Sequence, residues 1–202
     1  MTEQSTTGRA NQKLRTRTAI VRAATELSRT GREVTMPEIA KAALVSEATA
    51  YRYFPDLAGL LREAIAGQLP TPAEALASVA GSADPVERVA AVTGFLLRHI
   101  LARQGVVRAM IASTVTRPAD AVARPNLRAG LIDHALAPLS DTHDAADQGL
   151  AQLRRDLAVV VSAEALFSLT DLYHLDPEDA ITSVVRTATT LTRAFVQADA
   201  AA

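Results

Sequence analysis

Apolar residues recur at helical intervals along most of the chain, and no stretch alternates apolar and polar residues with the period of a strand. From Thr16, the spacing of Ile20, Ala23, Ala24 and Leu27 predicts a helix that closes at Gly31, where a left-handed residue is easiest to place. Thr35 is an N-cap for a short helix with Pro37 in its first turn, Ile39 and Ala40 inward and Lys41 outward. Ala42 to Val45 form a small apolar corner. Ser46 then caps a second short helix, Glu47 to Phe54, with Ala50 and Phe54 four residues apart on its inner face. Pro55 and Asp56 end it and start a helix to about Gln68 carrying Leu60, Leu61, Ala64 and Ile65. Ile20, Leu27, Val34, Ile39, Leu44, Ala50 and Phe54 are the expected core of this head.

Beyond a linker with a short helix, Asp84 and Pro85 open a helix with the stripe Val89, Val92, Leu96, Leu97 and Ile100. Further helices are expected at Gly105 to Thr116 and Asn126 to about Leu139, with a loop over 118–125 between them and a polar stretch after the second. Two long helices follow, from about Asp144 to Tyr173 and, capped by Asp176, from Pro177 to about Ala198. The pattern predicts an all-α protein: a three-helix head followed by a larger helical domain.

Two short helices joined by a three- or four-residue turn form a helix-turn-helix, whose second helix can enter the major groove of DNA. The second helix leaves Glu47, Ala48, Thr49, Tyr51, Arg52 and Tyr53 for other surfaces. Tyr51 and Tyr53 stand about 200° apart around the helix, so both cannot enter one small core. Thr, Tyr and Arg suit phosphate oxygens and base edges, and Glu47 could accept from a cytosine amine. The run T-x-x-x-I-A-x-x-A-x-V-S-x-x-T-x-Y-R-Y-F-P, from Thr35 through Pro55, resembles the TetR family of bacterial transcriptional regulators, and the likeness covers about residues 15–65. Leu44 and Ala48 stand where that family usually has glycine, and Leu57 where it has a phosphate-contacting lysine.

The resemblance implies that Thr49 and Tyr51 face the groove and Tyr53 faces phosphate. Ser46 and Thr35 would donate to phosphate from helix starts, and Arg52 would reach a base or a phosphate. It further implies a homodimer through the last two helices, carried by Val160, Val161, Ala165 and Leu169 with Ile181, Val184, Val185, Ala188, Leu191 and Phe195. A small, mainly apolar effector is implied among the middle helices, with Phe95, His99, Met110, Thr114, His134, Phe167 and Tyr173 as candidate lining. The expected function is a ligand-responsive repressor that binds a palindromic DNA operator. The competing reading is a helical ligand-binding or protein-interaction module whose helix-turn-helix has degenerated at Leu44, Ala48 and Leu57.

Composition sharpens this picture in three ways. Of 202 residues 49% are hydrophobic but only 3% aromatic, so the core must be built from Ala, Val and Leu. The first 69 residues hold ten Lys or Arg against seven Asp or Glu, and the remainder eleven against fifteen, which points the nucleic-acid surface to the N-terminal third. Arg15 and Arg17 belong to a basic segment there, and residues 1–13 read as a disordered basic arm before a DNA-binding domain at 14–55 and an effector and dimerisation domain at 56–202. With no cysteine, disulfides, thiolate metal sites and cysteine catalysis are excluded. The four histidines show no ligand spacing, and no phosphate loop, dinucleotide fingerprint or nucleophile elbow occurs. No enzyme activity, metal or cofactor is expected. No apolar run is long enough for a bilayer, so a cytoplasmic protein without membrane contact is expected.

Overall fold

The computed structural model describes residues 3–116, 127–140 and 148–201. In chain order the helices are α1 (Glu3–Ser28), α2 (Met36–Ala42), α3 (Glu47–Tyr53), α4 (Leu57–Ala66), α5 (Pro72–Ala75) and α6 (Pro85–Ala102). They continue with α7 (Gln104–Thr116), α8 (Leu127–Ala135), α9 (Ala137–Ser140), α10 (Gln148–Val160), α11 (Ala163–Asp171) and α12 (Pro177–Asp199). A 3-10 turn at Ala77–Val79 follows α5, and no strand occurs among the described residues. The fold is all-α. The expected loop at 118–125, most of the polar stretch after Leu139, and His143 lie outside the described residues.

The chain forms two compact units, Met1–Leu69 with Ala102–Arg124, and Pro70–Leu101 with Pro125–Ala202. The sequence drew a boundary at 55/56. The unit that holds the helix-turn-helix instead continues through α4 and takes in α7, because Leu60, Leu61, Ala64, Ile65 and Val106 share one core with Ile20, Ile39, Ala50 and Phe54. Helix α1 and the two short helices have too little apolar surface of their own, and α4 and α7 add a second layer. Gly105 makes that layer possible. A Cβ there would lie 1.9 Å from the Arg32 carbonyl oxygen, so α7 starts directly against the backbone of the α1–α2 loop.

Two features of the head differ from expectation. Residues 3–13 are not an arm but the first turns of α1, since adding residues to a formed helix costs far less than nucleating one. Leu44 is not core: it is 92% exposed, with φ at +56°. Its N–H donates to Lys41 O and the Val45 N–H to Ala40 O, the paired bonds of a helix end whose outlying residue is left-handed. The turn therefore keeps the geometry that a glycine would give and turns the leucine side chain to solvent.

In the second unit, α10 and α11 pack on α12, and α8 packs on α10 and α5. The expected helix from Asp144 to Tyr173 is broken at Ser162, whose extended backbone lets its hydroxyl accept from the Ala165 N–H. A local side-chain acceptor has replaced the helical bond in an otherwise apolar run. The helix expected to reach Leu139 likewise breaks at Leu136, two residues before Pro138. Proline has no N–H for the His134 carbonyl, and Arg88 of α6 supplies donors instead, Nη2 to His134 O at 2.7 Å and Nε to Ala135 O at 3.1 Å. Asp176 occupies the N-cap position of α12 without a side-chain capping bond, while Arg98 Nη2 pairs with Glu178 in the first turn at 2.7 Å. That hydrogen bond holds the Glu178 carboxyl below the ordinary range.

Candidate nucleic-acid interface

The starts of α2 and α3 are both capped by hydroxyls. Ser46 accepts from the Thr49 N–H at 3.2 Å, and its hydroxyl also shares a 2.9 Å hydrogen bond with the Thr49 hydroxyl. Thr35 accepts from the Glu38 N–H, and the Glu38 carboxylate reaches back to the Thr35 hydroxyl at 2.8 Å and N–H at 3.0 Å. These bonds, the hydroxyl's first and the backbone's second, hold the Glu38 carboxyl below its ordinary range. The start of α2 thus already carries an anion on the donors expected to meet phosphate.

Along α3, burial of Ala50 and Phe54 fixes the rotation of the helix. Glu47, Ala48, Tyr51 and Arg52 are exposed, Thr49 is half-buried, and Tyr51 keeps 48% of its surface open. Tyr53 packs against the head core, with the Arg52 guanidinium 5.7 Å from its ring centroid. The pair separates as the helical angle requires, Tyr51 outward and Tyr53 against the core.

The expected N-terminal basic residues divide. Arg15 is exposed. Arg17 lies with both terminal nitrogens on the Glu63 carboxylate of α4 and with its guanidinium 4.9 Å from the Phe54 ring centroid. Arg17 ties α1 to α4 and to the end of α3. Leu57 packs against the head core beside the α4 cap, where Asp56 accepts from the Gly59 N–H at 2.7 Å.

Sequence reasoning missed the concave part of this face. A groove of about 570 Å³ runs between α1 and α3, lined by Gln12, Lys13, Thr16, Val45, Thr49, Arg52 and Tyr53. No carboxylate lines it. Treating residues 1–13 as an arm hid it, although Gln12, Lys13 and Thr16 have the spacing of one helix face.

The candidate effector residues are dispersed. Met110 and Thr114 belong to α7 in the first unit, where Met110 packs on the head core and Thr114 donates to the Met110 carbonyl. In the second unit Phe95 and His99 are half-buried and Phe167 is buried. His134 and Tyr173 are exposed, and His134 Nδ1 lies 2.8 Å from Gly130 O. Thr93, which periodicity gave no reason to single out, is 1% exposed with an unpartnered hydroxyl. Of the dimer candidates, Val161, Ile181, Val184 and Ala188 are buried within the chain, whereas Val160, Ala165, Leu169, Val185, Leu191 and Phe195 are half-buried. Among the described residues no three His, Asp or Glu gather to hold a metal ion, and no helix is long and apolar enough to cross a membrane.

Comparison with known proteins bears on the same segment. Residues 20–64 match the sequence family described as bacterial regulatory proteins, TetR family. Among solved structures, the fold matches a TetR transcriptional regulator from Rhodococcus sp. RHA1 at 25% identity and a TM-score of 0.53, over 89% of this chain and 97% of that one. No curated protein matches the chain. With a matched head, a matched fold and a helix-turn-helix that presents Tyr51 and Arg52 outward, the chain belongs to the TetR family of DNA-binding bacterial regulators.

Proposed function

We propose that this regulator binds a palindromic operator as a homodimer, represses transcription by occlusion, and is released by a small, mainly apolar effector. The observation that carries the DNA reading is the outer face of α3, where Tyr51 and Arg52 project from a helix locked by Ala50 and Phe54. Seven residues of helix reach few base pairs, so sequence-specific binding calls for two heads in successive major grooves. The half-buried stripe of Val185, Leu191 and Phe195 on α12 supports such a dimer. The second unit supports an effector site, because the buried Thr93 hydroxyl would be satisfied by a polar group on a bound ligand. Neither Leu44 nor Leu57 argues for a degenerate head, since the first preserves the turn and the second packs on the core. No catalytic role is proposed, and a regulator of this kind acts in the cytoplasm with the chromosome.

The test is selection of bound duplexes from a random pool at two salt concentrations. Recovery of a palindrome supports the operator and the dimer together. With six to ten phosphate contacts, affinity is expected to fall about a thousand-fold or more from about 50 to about 200 mM salt. Recovery of nothing above background from a folded protein overturns the reading and leaves the ligand-binding or interaction module.

A further inference from the structure

The matched family segment begins at Ile20, whereas α1 begins at Glu3. More than half of this helix is therefore an extension that the matched segment does not include, and it is not idle surface. Its residues Gln12, Lys13 and Thr16 form one wall of the groove whose other wall is Thr49, Arg52 and Tyr53 of α3. Every one of these six side chains carries a hydrogen-bonding group, two are cationic, and none is acidic.

Lys13 and Arg15 differ from the paired basic residues of α1, and of these two it is Lys13 that lines the groove. Arg17 is held by Glu63, and Arg22 by Glu26 at 3.0 Å. Lys13 is exposed and makes no ion pair among the described residues. Among the described residues Arg52 across the groove likewise faces no carboxylate, and its guanidinium leans on the Tyr53 ring. An open groove with two uncompensated cations on opposite walls, one of them on the helix that enters the major groove, is a cradle for a polyanion. When α3 lies in that groove, a sugar-phosphate strand borders it on each side. From Gln12 to Thr16 the wall rises about 6 Å, close to the roughly 6.8 Å climbed in two steps of a DNA strand at 3.4 Å each.

We propose that the α1 extension and α3 together hold the sugar-phosphate backbone of one strand of double-stranded DNA, with Lys13 neutralising a phosphate. The proposal rests on the DNA-binding reading and adds a sequence-independent contact outside the family segment. Thr16 is a wall rather than a donor, because its hydroxyl already donates to the Gln12 carbonyl at 3.0 Å. Gln12 amide N–H groups and the Arg52 guanidinium complete the donor set.

A phosphate contact acts on all sequences alike, so a random-sequence duplex is a sufficient probe. Binding is measured across a salt series for the wild type, Lys13→Gln, Lys13→Arg and Arg22→Gln. Removing one phosphate contact per protomer lowers the magnitude of the log–log salt slope by about 0.9 for each bound protomer. Lys13→Gln is expected to show that loss with unchanged helicity, Lys13→Arg to restore the slope, and Arg22→Gln, with the same change in net charge, to leave it intact. An unchanged slope in Lys13→Gln, or an equal loss in Arg22→Gln, overturns the cradle while leaving the DNA-binding reading standing. A wild-type protein with no salt-dependent affinity for any duplex overturns both.

Discussion

Leu44 holds a conformation that costs an L-residue about 1–2 kcal/mol, and its exposed side chain recovers almost none of it by packing. Leu44→Gly is expected to stabilise the head by about 1 kcal/mol, after allowance for the greater unfolded-state freedom of glycine. For a chain of this length that is a rise of about 2–4 °C in the thermal midpoint, and a fall would show that the leucine contributes contacts in the turn. Glu38 offers a second test. Its folded-state pKa is depressed by the Thr35 hydroxyl and N–H, so its contribution is complete above the ordinary glutamate range of about 4.3 and is lost as pH falls through the lower folded value. Glu38→Gln is expected to flatten the acid limb of the melting temperature against pH while leaving the profile near neutrality parallel to wild type. An acid limb of unchanged steepness would remove the capping carboxylate from the account. At this scale the sequence named the caps Thr35 and Ser46 from residue type and position alone, because a cap is a contact within four residues, whereas Asp176, named in the same way, makes no side-chain capping bond. It misplaced Leu44, because hydrophobicity argues for burial while the turn demands a dihedral.

Among the elements, α7 is the one whose place no local pattern could announce. It completes the head core through Val106, Ala109 and Met110, and its approach to the α1–α2 loop depends on Gly105. Gly105→Ala would force a methyl group into the Arg32 carbonyl, and since backbone yields less readily than a side-chain tip, a cost of about 1–3 kcal/mol or more is expected. Gly67→Ala, with nothing near the added methyl and a negative φ, is the matched control and is expected to be neutral or slightly stabilising. Equal melting temperatures for the two variants would refute the close approach. The breaks at Ser162 and Leu136 carry the same lesson. A serine inside an apolar run and a proline three residues from a helix end were visible, but Arg88, which satisfies the carbonyls freed near Pro138, comes from 46 and 47 residues away.

For the whole molecule the open question is the partner for α12. Its inward residues, Ile181, Val184 and Ala188, are buried within one chain, and Leu191 and Phe195 are left half-covered. Sedimentation at micromolar concentration is expected to give a dimer. Phe195→Glu is expected to shift it to monomer and to weaken operator binding while keeping helicity, whereas Val184→Glu is expected to unfold the second unit, since it leaves an unpaired charge in the core. A wild-type monomer, or a Phe195→Glu dimer as tight as wild type, would remove α12 from the interface.

The sequence by itself determined the helical class, the caps of α2 and α3, the two short helices and the rotation of α3, because each follows from interactions within a turn or two of the chain. It also carried the family pattern, whose spaced residues encode those same local contacts. Only the tertiary structure decided that α4 and α7 belong to the head, that Arg17 is spent on Glu63 and Phe54, and that Gln12 and Lys13 face Thr49 and Arg52 across a groove. These are meetings of residues tens of positions apart, and one-dimensional periodicity records which face of a helix is apolar but not which partner covers it.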